Sequence, residues 1–363
     1  VQLLKYRVLK EVAIRAYEGN LMDSYYEIPQ IISPGPKATM RCCIYKERAI
    51  AQERVRLAMG GDRRDPNIIE VIQIACDECP VERYTVSESC RGCISQRCIK
   101  NCPKNAIKKN SKGKAEIDLD TCIECGRCAK VCPYGAIVEH VRPCERSCKI
   151  NAINMNEEKK AEINPEKCIS CGACASACPF GAIVDKSFMV DAINIIKNAK
   201  DASGEQNYKV AAIVAPAIAA QFDDCSLAQV ATGIRKLGFD YVVEAAMGAD
   251  MVADKEAQEL AEKGFLTSSC CPAFVSYIEK HVPAMKEHVS HNLSPMAEIG
   301  RYIKENSETP IKTIFIGPCT AKKEEKFKPT VDMWIDCVIT FEEFQAMIDA
   351  KEIDLKTMDE TSV

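Results

Sequence analysis

The sequence predicts an α+β protein in three parts: a helical N-terminal region (1–70), a cysteine-rich region (71–187) and an alternating α/β region (188–363). Three observations support this division. Helical apolar spacing dominates the first part, sixteen cysteines in motif-like spacing fill the second, and apolar runs alternate with helical segments in the third. A chain of 363 residues can bury two or three separate cores.

The helical prediction for the first region rests on apolar spacing in "VQLLKYRVLKEVAIRAY" and "IYKERAIAQERVRLAMG", separated by the breaker "ISPGP" at 32–36. We assign this region a docking or structural role. Its adjacent cysteines, Cys42 and Cys43, have no other ligand-type spacing around them, and we predict buried, inert thiols. The same prediction is made for Cys225 and Cys337.

The middle region contains an internal repeat, in which "AEIDLDTCIECGRCAKVCPYGAIV" (115–138) aligns with "AEINPEKCISCGACASACPFGAIV" (161–184). Each copy contains C-x2-C-x2-C-x3-C-P, a motif in which three thiolates hold one 4Fe-4S cube and the fourth reaches a neighbouring cube. A zinc ribbon would instead need paired C-x2-C motifs. The repeat therefore predicts two tandem ferredoxin-like units, with short strands flanking the ligand loops.

Sixteen cysteines are enough for four clusters, because each cube takes four thiolates. The predicted sets are Cys90, Cys93, Cys98 and Cys132; Cys102, Cys122, Cys125 and Cys128; Cys148, Cys168, Cys171 and Cys174; and Cys76, Cys79, Cys144 and Cys178. The last set is assigned because the second repeat lacks counterparts of Cys90 and Cys93, and the "CDEC" pair supplies two ligands. The alternative, in which Cys76 and Cys79 share a separate site with Cys90 and Cys93, stays open.

The third region predicts strands in "KVAAIVAPA", "YVVEAA", "FLTSSCCPAF", "IKTIFIGPC" and "DCVIT", with helices between them. Two of these strands run into cysteine-bearing loops, "TSSCCPAF" (267–274) and "GPCTAKKEE" (317–325). Ligands of open α/β sheets bind at loops that leave the carboxyl ends of strands. Both loops are therefore expected to face one site.

The two loops resemble the first two active-site motifs of the iron-only (FeFe) hydrogenases, Thr-Ser-Cys-Cys-Pro and Pro-Cys-x-x-Lys-x-x-Glu. "VAPAIAAQF" (214–222) and "LSPM" (293–296) are similar to the family's segments around its cofactor. The resemblance covers about residues 70–350, and Phe274 and Gly317 make it closest to the branch called group B. It implies an oxidoreductase that interconverts protons and electrons with dihydrogen, with electrons relayed through 4Fe-4S clusters to a six-iron active-site cluster.

The resemblance also implies roles for residues of the two loops. Cys271 and Cys319 would ligate the active-site cube. Cys270 would be the last proton-transfer group, beside the azadithiolate bridge of a two-iron subcluster that also carries CO and CN. Lys322 would donate a charge-assisted hydrogen bond to a cyanide ligand. The cofactor-binding segments would contribute Pro216, Ala217 and Met296.

Three further residues match family positions on the proton path: Glu256, Glu259 and Ser290. The two glutamates are three residues apart, on one face of a predicted helix. The same spacing fits a pair of solvated helix charges equally well.

The chain departs from the family pattern at three points. Family members often have Met at the position of Gly317 and Gln at that of Met296. The third motif, which supplies the other two active-site cysteines, has no counterpart after Cys337, so we expect the chain as given to be truncated and inactive. The alternative functions are a non-catalytic hydrogenase-like iron-sulfur assembly or carrier protein, and a hydrogen sensor. Cys270 and Lys322 argue against a carrier, and a sensor would be expected to have a signalling domain.

Composition restricts the partners. A net charge of -4 offers no broad basic surface for nucleic acid, and the longest apolar run, "VAAIVAPAIAA" (210–220), is too short for a membrane span. Dense cysteines without an export signal predict reduced, metal-binding thiols in the cytoplasm. The resemblance implies dihydrogen, protons, a ferredoxin or another redox protein, and hydrogenase maturation proteins as partners.

Overall fold

The N-terminal region is helical, as its apolar spacing predicted. The computed structural model describes residues 1–201 and 203–360. The first three helices are α1 (Gln2–Glu18), α2 (Ile28–Ile32) and α3 (Ile44–Ala58). Helix α1 ends at Gly19, whose left-handed backbone (φ 81°) lets its N–H bond the carbonyl of Arg15. The buried face of α1 belongs to the same apolar core as the C-terminal α/β region, so the two ends of the described chain pack together.

Short strands and single-turn helices make up the cysteine-rich region. The strands are β1 (Ile69–Val71), β2 (Tyr84–Val86), β3 (Ile107–Lys109), β4 (Ala115–Ile117), β5 (Ile137–Glu139), β6 (Ile153–Met155), β7 (Ala161–Ile163) and β8 (Ile183–Asp185). The helices are α4 (Arg97–Lys100), α5 (Arg127–Val131), α6 (Pro143–Ser147) and α7 (Ala173–Ala177). A 3₁₀ turn, Gln73–Ala75, follows β1.

The pairing of these strands divides the region into two ferredoxin-like units. In the first unit β2 pairs with β5 and β3 with β4; in the second β1 pairs with β8 and β6 with β7. All four pairs are antiparallel. Because β1 precedes β2 in the chain, the first unit is inserted between the first strand of the second unit and the remainder of that unit.

The third region is built on a four-stranded parallel sheet with the order β10-β9-β11-β12. Its strands are β9 (Lys209–Val214), β10 (Tyr241–Glu244), β11 (Ile311–Gly317) and β12 (Cys337–Thr340). Its helices are α8 (Met189–Lys197), α9 (Ile218–Gln221), α10 (Leu227–Lys236), α11 (Ala245–Lys263), α12 (Pro272–His281), α13 (Pro295–Glu305), α14 (Ala321–Glu325), α15 (Pro329–Asp332) and α16 (Phe341–Ala350). Two 3₁₀ turns, Pro283–His288 and Leu355–Thr357, complete it. None of the helices within 1–201 and 203–360 is both long and apolar enough to cross a membrane.

The strand predicted for "FLTSSCCPAF" is wrong. Only Thr267 forms a bridge, to Val289, and the rest of the segment leads into α12 as a loop. The backbone N–H groups that a ladder would use are bonded locally: that of Ser269 to the Glu256 carboxylate and that of Cys270 to the Ser268 hydroxyl. Side-chain acceptors compete here with strand pairing.

Candidate iron-sulfur and active-site centres

The two C-x2-C-x2-C loops have the same backbone path. Glu124 and Ser170 have φ of 53° and 52°, and Gly126 and Gly172 have φ of 70° and 75°. Each glycine is the residue that precedes a ligand helix, α5 or α7, and glycine adopts this left-handed conformation without a steric penalty. The turn lets three cysteines of one short loop face a common point, as a cube requires.

The fourth cysteine of each motif accepts a backbone hydrogen bond. In the Cys-Pro turns of Cys102, Cys132 and Cys178, and in the matching turn after Cys148, the N–H of an alanine four residues further on donates to the cysteine sulfur. The pairs are Cys102 and Ala106 at 3.2 Å, Cys132 and Ala136 at 3.4 Å, Cys148 and Ala152 at 3.2 Å, and Cys178 and Ala182 at 3.3 Å. Such donors stabilise a thiolate, and hydrogen bonds to sulfur tune the potential of a bound cluster. The loops therefore fit 4Fe-4S ligation.

A second pair of hydrogen bonds relates Cys76 to Cys90. The N–H of Ala115 donates to the Cys90 sulfur at 3.4 Å, and the N–H of Ala161 donates to the Cys76 sulfur at 3.3 Å. Ala115 and Ala161 occupy equivalent positions of the repeat. Cys76 therefore stands in the second unit where Cys90 stands in the first, as the insertion of one unit into the other requires.

The neighbours of the buried thiols show which cysteines lie together. Burial raises the pKa of Cys144 to about 11, and the nearby sulfurs of Cys178 and Cys76 act in the same direction. Burial also raises the pKa of Cys79, with further contributions from Cys178 and Cys76. The structure thus brings together Cys76, Cys79, Cys144 and Cys178.

The other sets are arranged in the same way. Burial raises the pKa of Cys174 to about 12, and Cys168, Cys171 and Cys148 add to the shift. Burial likewise raises the pKa of Cys128, next to the sulfurs of Cys122 and Cys125. A small cavity is lined by the remaining set, Cys90, Cys93, Cys98 and Cys132. This placement supports the crossed assignment over a site shared by Cys76, Cys79, Cys90 and Cys93.

We expect Cys76→Ser and Cys144→Ser to disturb the same cluster, because both side chains belong to one set although they are far apart in the sequence. EPR spectra of the reduced, reconstituted variants should lose the same signal. Cys90→Ser serves as the matched control and should affect a different signal. If Cys76→Ser and Cys90→Ser affect one signal while Cys144→Ser affects another, the alternative grouping is correct.

Two of the predicted active-site segments leave the carboxyl edge of the parallel sheet. Pro216 and Ala217 follow β9, and Cys319 follows the neighbouring strand β11. Cys270 and Cys271 are exposed and Cys319 is half-buried. The first turn of α13 contributes Met296, which is buried. The residues predicted to surround a cofactor are therefore placed by β9, β11, α12 and α13.

Lys322 lies one turn beyond Cys319, in α14. It is 8% exposed, and its Nζ is 2.7 Å from Oε2 of Glu325, which is also buried. A buried ammonium normally needs such a partner. One carboxylate oxygen occupies only one of its three N–H donors, so the side chain can donate to a further acceptor.

Hydrogen bonds connect both predicted proton-path glutamates to neighbouring loops. The Ser268 hydroxyl donates to Glu256 at 3.0 Å and accepts from the backbone N–H of Cys270 at 3.3 Å. The Ser290 hydroxyl donates to Glu259 at 2.9 Å. Neither glutamate is the fully solvated helix charge that the alternative interpretation describes.

The two glutamates differ in how firmly they are held. Glu259 also accepts from Asn292 at 2.9 Å and from Lys263 at 2.7 Å. Burial would raise the pKa of Glu259, but the bonds from Lys263 and Ser290 outweigh it and hold the pKa below its usual range. Its bonds to Ser290 and Asn292 show that Glu259 fixes the 288–292 loop.

The sequence did not reveal the contact between the second ferredoxin unit and the active-site loops. The Thr320 hydroxyl donates to the Ser170 carbonyl at 2.8 Å, and a Cβ on Gly172 would lie 2.9 Å from that hydroxyl oxygen. From α12, the Lys280 ammonium donates to the Cys168 carbonyl at 2.5 Å. The loop that contains Cys168, Cys171 and Cys174 therefore contacts the residue after Cys319 and the last turn of α12, the helix that follows Cys271. Thr320 occupies an unspecified position of its motif, so no sequence signal pointed to it.

Comparisons with known proteins agree with this arrangement. Residues 208–363 match the family model described as iron only hydrogenase large subunit, C-terminal domain. Residues 161–184 match the 4Fe-4S binding domain, and residues 89–136 match the 4Fe-4S dicluster domain.

Curated relatives include both enzymes and an assembly factor. Iron hydrogenase 1 of Clostridium pasteurianum is 34% identical over 141 residues, which is 34% of this chain and 25% of that protein. Cytosolic Fe-S cluster assembly factor NAR1 of Kluyveromyces lactis is 32% identical over 127 residues, covering 34% and 27%. NADP-reducing hydrogenase subunit HndD of Solidesulfovibrio fructosivorans is 26% identical over 264 residues, covering 64% and 36%. The matched segments thus span only a quarter to about a third of these relatives' own length.

Among solved structures, a variant of the FeFe-hydrogenase HydA1 of Chlamydomonas reinhardtii is 26% identical, with 48% of this chain and 50% of that chain covered and a TM-score of 0.42. The family match, the hydrogenase relatives and the 4Fe-4S domains show that this chain is an iron-only hydrogenase-like iron-sulfur protein, with ferredoxin-like domains preceding a hydrogenase-like α/β domain.

Proposed function

We propose that this protein interconverts protons and electrons with dihydrogen, and that electrons pass through four 4Fe-4S clusters to a six-iron active-site cluster. The observation that carries the proposal is the combination of an exposed second thiol, Cys270, with a buried cation, Lys322, at the loops containing Cys271 and Cys319. A protein that only holds a cube needs neither group. When bound, the two-iron subcluster with CO, CN and azadithiolate supplies the metal at which dihydrogen is formed or split.

The ligand roles are divided between the two loops. Cys271 and Cys319 would supply two of the four thiolates that a cube takes. Lys322 would turn one of its N–H donors towards a cyanide ligand while Glu325 balances its charge in the buried site. Pro216, Ala217 and Met296 would line the cofactor from β9 and α13.

The proton would reach the site through Cys270. Its thiol would exchange a proton at Sγ with the cofactor, and the hydroxyl of Ser268 stands between the Cys270 backbone and Glu256. Glu256 is half-buried, so it can exchange protons with water on its outer side. Ser290 and Glu259 would hold the adjacent loop, since the Ser269 hydroxyl donates to the Asn292 carbonyl at 2.8 Å.

Electrons would enter from a ferredoxin or another redox protein and leave the ferredoxin-like units through the set of Cys148, Cys168, Cys171 and Cys174. The contacts of Thr320 and Lys280 support this exit, because they join the 168–174 loop to the residue after Cys319 and to the helix that follows Cys271. Hydrogenase maturation proteins would be needed to supply the subcluster. We propose a cytoplasmic location, which is supported by the description of the NAR1 relative as cytosolic.

The proposal is tested by producing the protein from its complete gene together with hydrogenase maturation proteins and measuring dihydrogen evolution from reduced methyl viologen. We expect evolution by the unmodified protein and none by Lys322→Met, which lacks the donor to the cofactor. Lys328→Met, which removes a half-exposed lysine just after the same helix, is the matched control and should keep its activity. If protein with full iron content evolves no dihydrogen, the proposal fails.

A second candidate function is iron-sulfur assembly or cluster transfer, favoured by the similarity to NAR1. It predicts that the reconstituted protein donates cubes to an apo-ferredoxin and that Lys322→Met and Cys270→Ala donate them equally well. Hydrogen evolution that depends on Lys322 would count against this second function.

A further inference from the structure

Cys42 and Cys43 are not the buried thiols that the sequence predicted. Both are exposed, and their sulfurs lie 4.0 Å apart at the start of α3. Glu47, on the first turn of α3, accepts the backbone N–H groups of Thr39, Met40 and Arg41, so the segment before the pair is fixed to the start of the helix and both thiols stay at the surface. None of the four cluster sets uses this pair of thiols.

The segment containing the pair is fastened to a ligand loop of one cluster set. Arg41, whose side chain is 8% exposed, donates to the Ala75 carbonyl at 3.2 Å and lies 3.3 Å from the Glu78 carboxylate. Lys46, on the other side of the pair, forms an ion pair with Asp77. Residues before and after the two cysteines, Arg41 and Lys46, therefore both contact the loop Cys76–Cys79.

A second ligand loop of the same set is also in contact. The guanidinium of Arg41 lies 5.4 Å from the centroid of the Phe180 ring, two residues after Cys178. Arg41, the residue before the dithiol, therefore contacts the segments next to both Cys76 and Cys178, two members of the set formed by Cys76, Cys79, Cys144 and Cys178.

The surroundings of Cys43 suit a nucleophile. The backbone N–H groups of the first turn of α3, chiefly that of Lys46, lower the pKa of the Cys43 thiol below its usual range. The Cys42 thiol and the Lys46 ammonium act in the same direction. An exposed thiol that accepts backbone N–H groups and stands next to a second thiol is typical of a redox-active site.

We propose that Cys42 and Cys43 form a redox-active dithiol that reduces an external disulfide with electrons from the cluster held by Cys76, Cys79, Cys144 and Cys178. This goes beyond dihydrogen chemistry and does not depend on the active-site cofactor. It requires only that the cluster be reduced by a low-potential one-electron donor.

The reaction balances in three steps. The Cys43 thiolate attacks one sulfur of the disulfide, which forms a mixed disulfide and releases one thiolate. Cys42 then loses its proton and attacks the Cys43 sulfur, which forms the Cys42 to Cys43 disulfide and releases the second thiolate. Two electrons, delivered singly through the cluster, and two protons from water restore both thiols. In sum, two electrons and two protons convert one disulfide into two thiols.

The covalent geometry of the pair favours easy reduction. Consecutive Cα atoms are about 3.8 Å apart, whereas ordinary disulfides join Cα atoms about 4.4–6.8 Å apart. A bond between adjacent cysteines is therefore strained, and strained disulfides are the labile, catalytic ones. The pair should cycle rather than remain oxidised.

The test uses the full chain with reconstituted clusters, reduced with dithionite and freed of excess reductant. Glutathione disulfide or oxidised thioredoxin is then added, and the EPR signal of the reduced clusters is followed over time. Trypsin should cut after Arg41 and Lys46 and release "CCIYK", in which mass spectrometry distinguishes two thiols, an internal disulfide and a mixed disulfide. Variants Cys42→Ser and Cys43→Ser are compared with Cys225→Ser, the matched control at a cysteine outside every set.

We expect the clusters of the unmodified protein and of Cys225→Ser to be reoxidised, and those of Cys43→Ser at least about tenfold more slowly, because the attacking thiolate is gone. In Cys42→Ser the reaction should stop at the mixed disulfide on Cys43, because the thiol that would release the second thiolate is absent. Reaction with glutathione disulfide would identify the substrate as a small-molecule disulfide, and reaction with oxidised thioredoxin would identify it as a protein disulfide. Equal rates in Cys43→Ser and unmodified protein, or a "CCIYK" peptide that never carries a disulfide, would overturn the proposal. Either outcome is independent of dihydrogen evolution, which Lys322→Met tests separately.

Discussion

Replacing Cys270 with alanine is expected to lower dihydrogen turnover of the matured protein by at least about a hundredfold, the low end of what a positioned acid-base group contributes. The thiol has no predicted metal to hold, since Cys271 occupies the ligand position. It lies in a loop that a serine hydroxyl connects to Glu256. Iron content should therefore remain normal while proton delivery fails.

Cys271→Ala is the matched comparison, one residue away in the same exposed loop. Loss of a thiolate ligand destabilises the cube itself, so iron content and activity should fall together. Iron analysis reports assembly, and dihydrogen evolution reports turnover. A Cys270→Ala protein with full activity, or one that loses its iron as Cys271→Ala does, contradicts the division of roles between the two cysteines.

The second large effect is expected at Lys323, the residue after Lys322. It is completely buried, and its Nζ bonds Asp185 at 2.8 Å, Glu343 at 2.9 Å and the carbonyl of Lys186 at 2.7 Å. Burial opposes the charge, but Asp185 and Glu343 outweigh it and raise the pKa of Lys323 above its usual range. One side chain thus joins α14 to the last strand of the ferredoxin-like units and to α16.

Lys323→Met should lower the free energy of unfolding by about 3–5 kcal/mol, because it leaves two carboxylates buried with less compensating charge. Lys326→Met, which removes a partly exposed pair with Asp332, should cost about 1 kcal/mol or less. Anaerobic denaturant unfolding of the reconstituted proteins measures both. The double variant Lys323→Met with Asp185→Asn should recover part of the loss, since Lys5 keeps its partner Glu342 at 2.6 Å. Equal stability of Lys323→Met and Lys326→Met would contradict this account.

The sequence predicted the two ferredoxin-like units and the alternating α/β region because their signals are local. A C-x2-C-x2-C-x3-C-P motif specifies its own turn, and β9 and β11 each contain a short apolar run. The segment before Cys270 misled the prediction for a physical reason. Its apolar start reads as a strand, but Ser268 and the Glu256 carboxylate take up the backbone N–H groups that a ladder would need.

Most contacts between distant segments could not be predicted. The repeat placed Cys76 and Cys79 with Cys144 and Cys178 by counting ligands, but only the pairing of β1 with β8 shows that β1 completes the second ferredoxin-like unit from before the first unit. The bond from Thr320 to Ser170 and the exposure of Cys42 and Cys43 likewise depend on packing between regions that no local pattern encodes. Glu256 and Glu259 also differ in their hydrogen-bond partners, which the sequence does not show.

The most direct measurement of the central claim is the infrared spectrum of the protein after anaerobic maturation, read in the region where bound CO and CN absorb. The account predicts sharp CO and CN bands that are retained in Cys270→Ala and lost in Cys319→Ala, with 4Fe-4S signals from the ferredoxin-like units present in both. A matured protein with its ferredoxin-type clusters intact but without CO and CN bands would contradict hydrogenase function and support the assembly or carrier function instead.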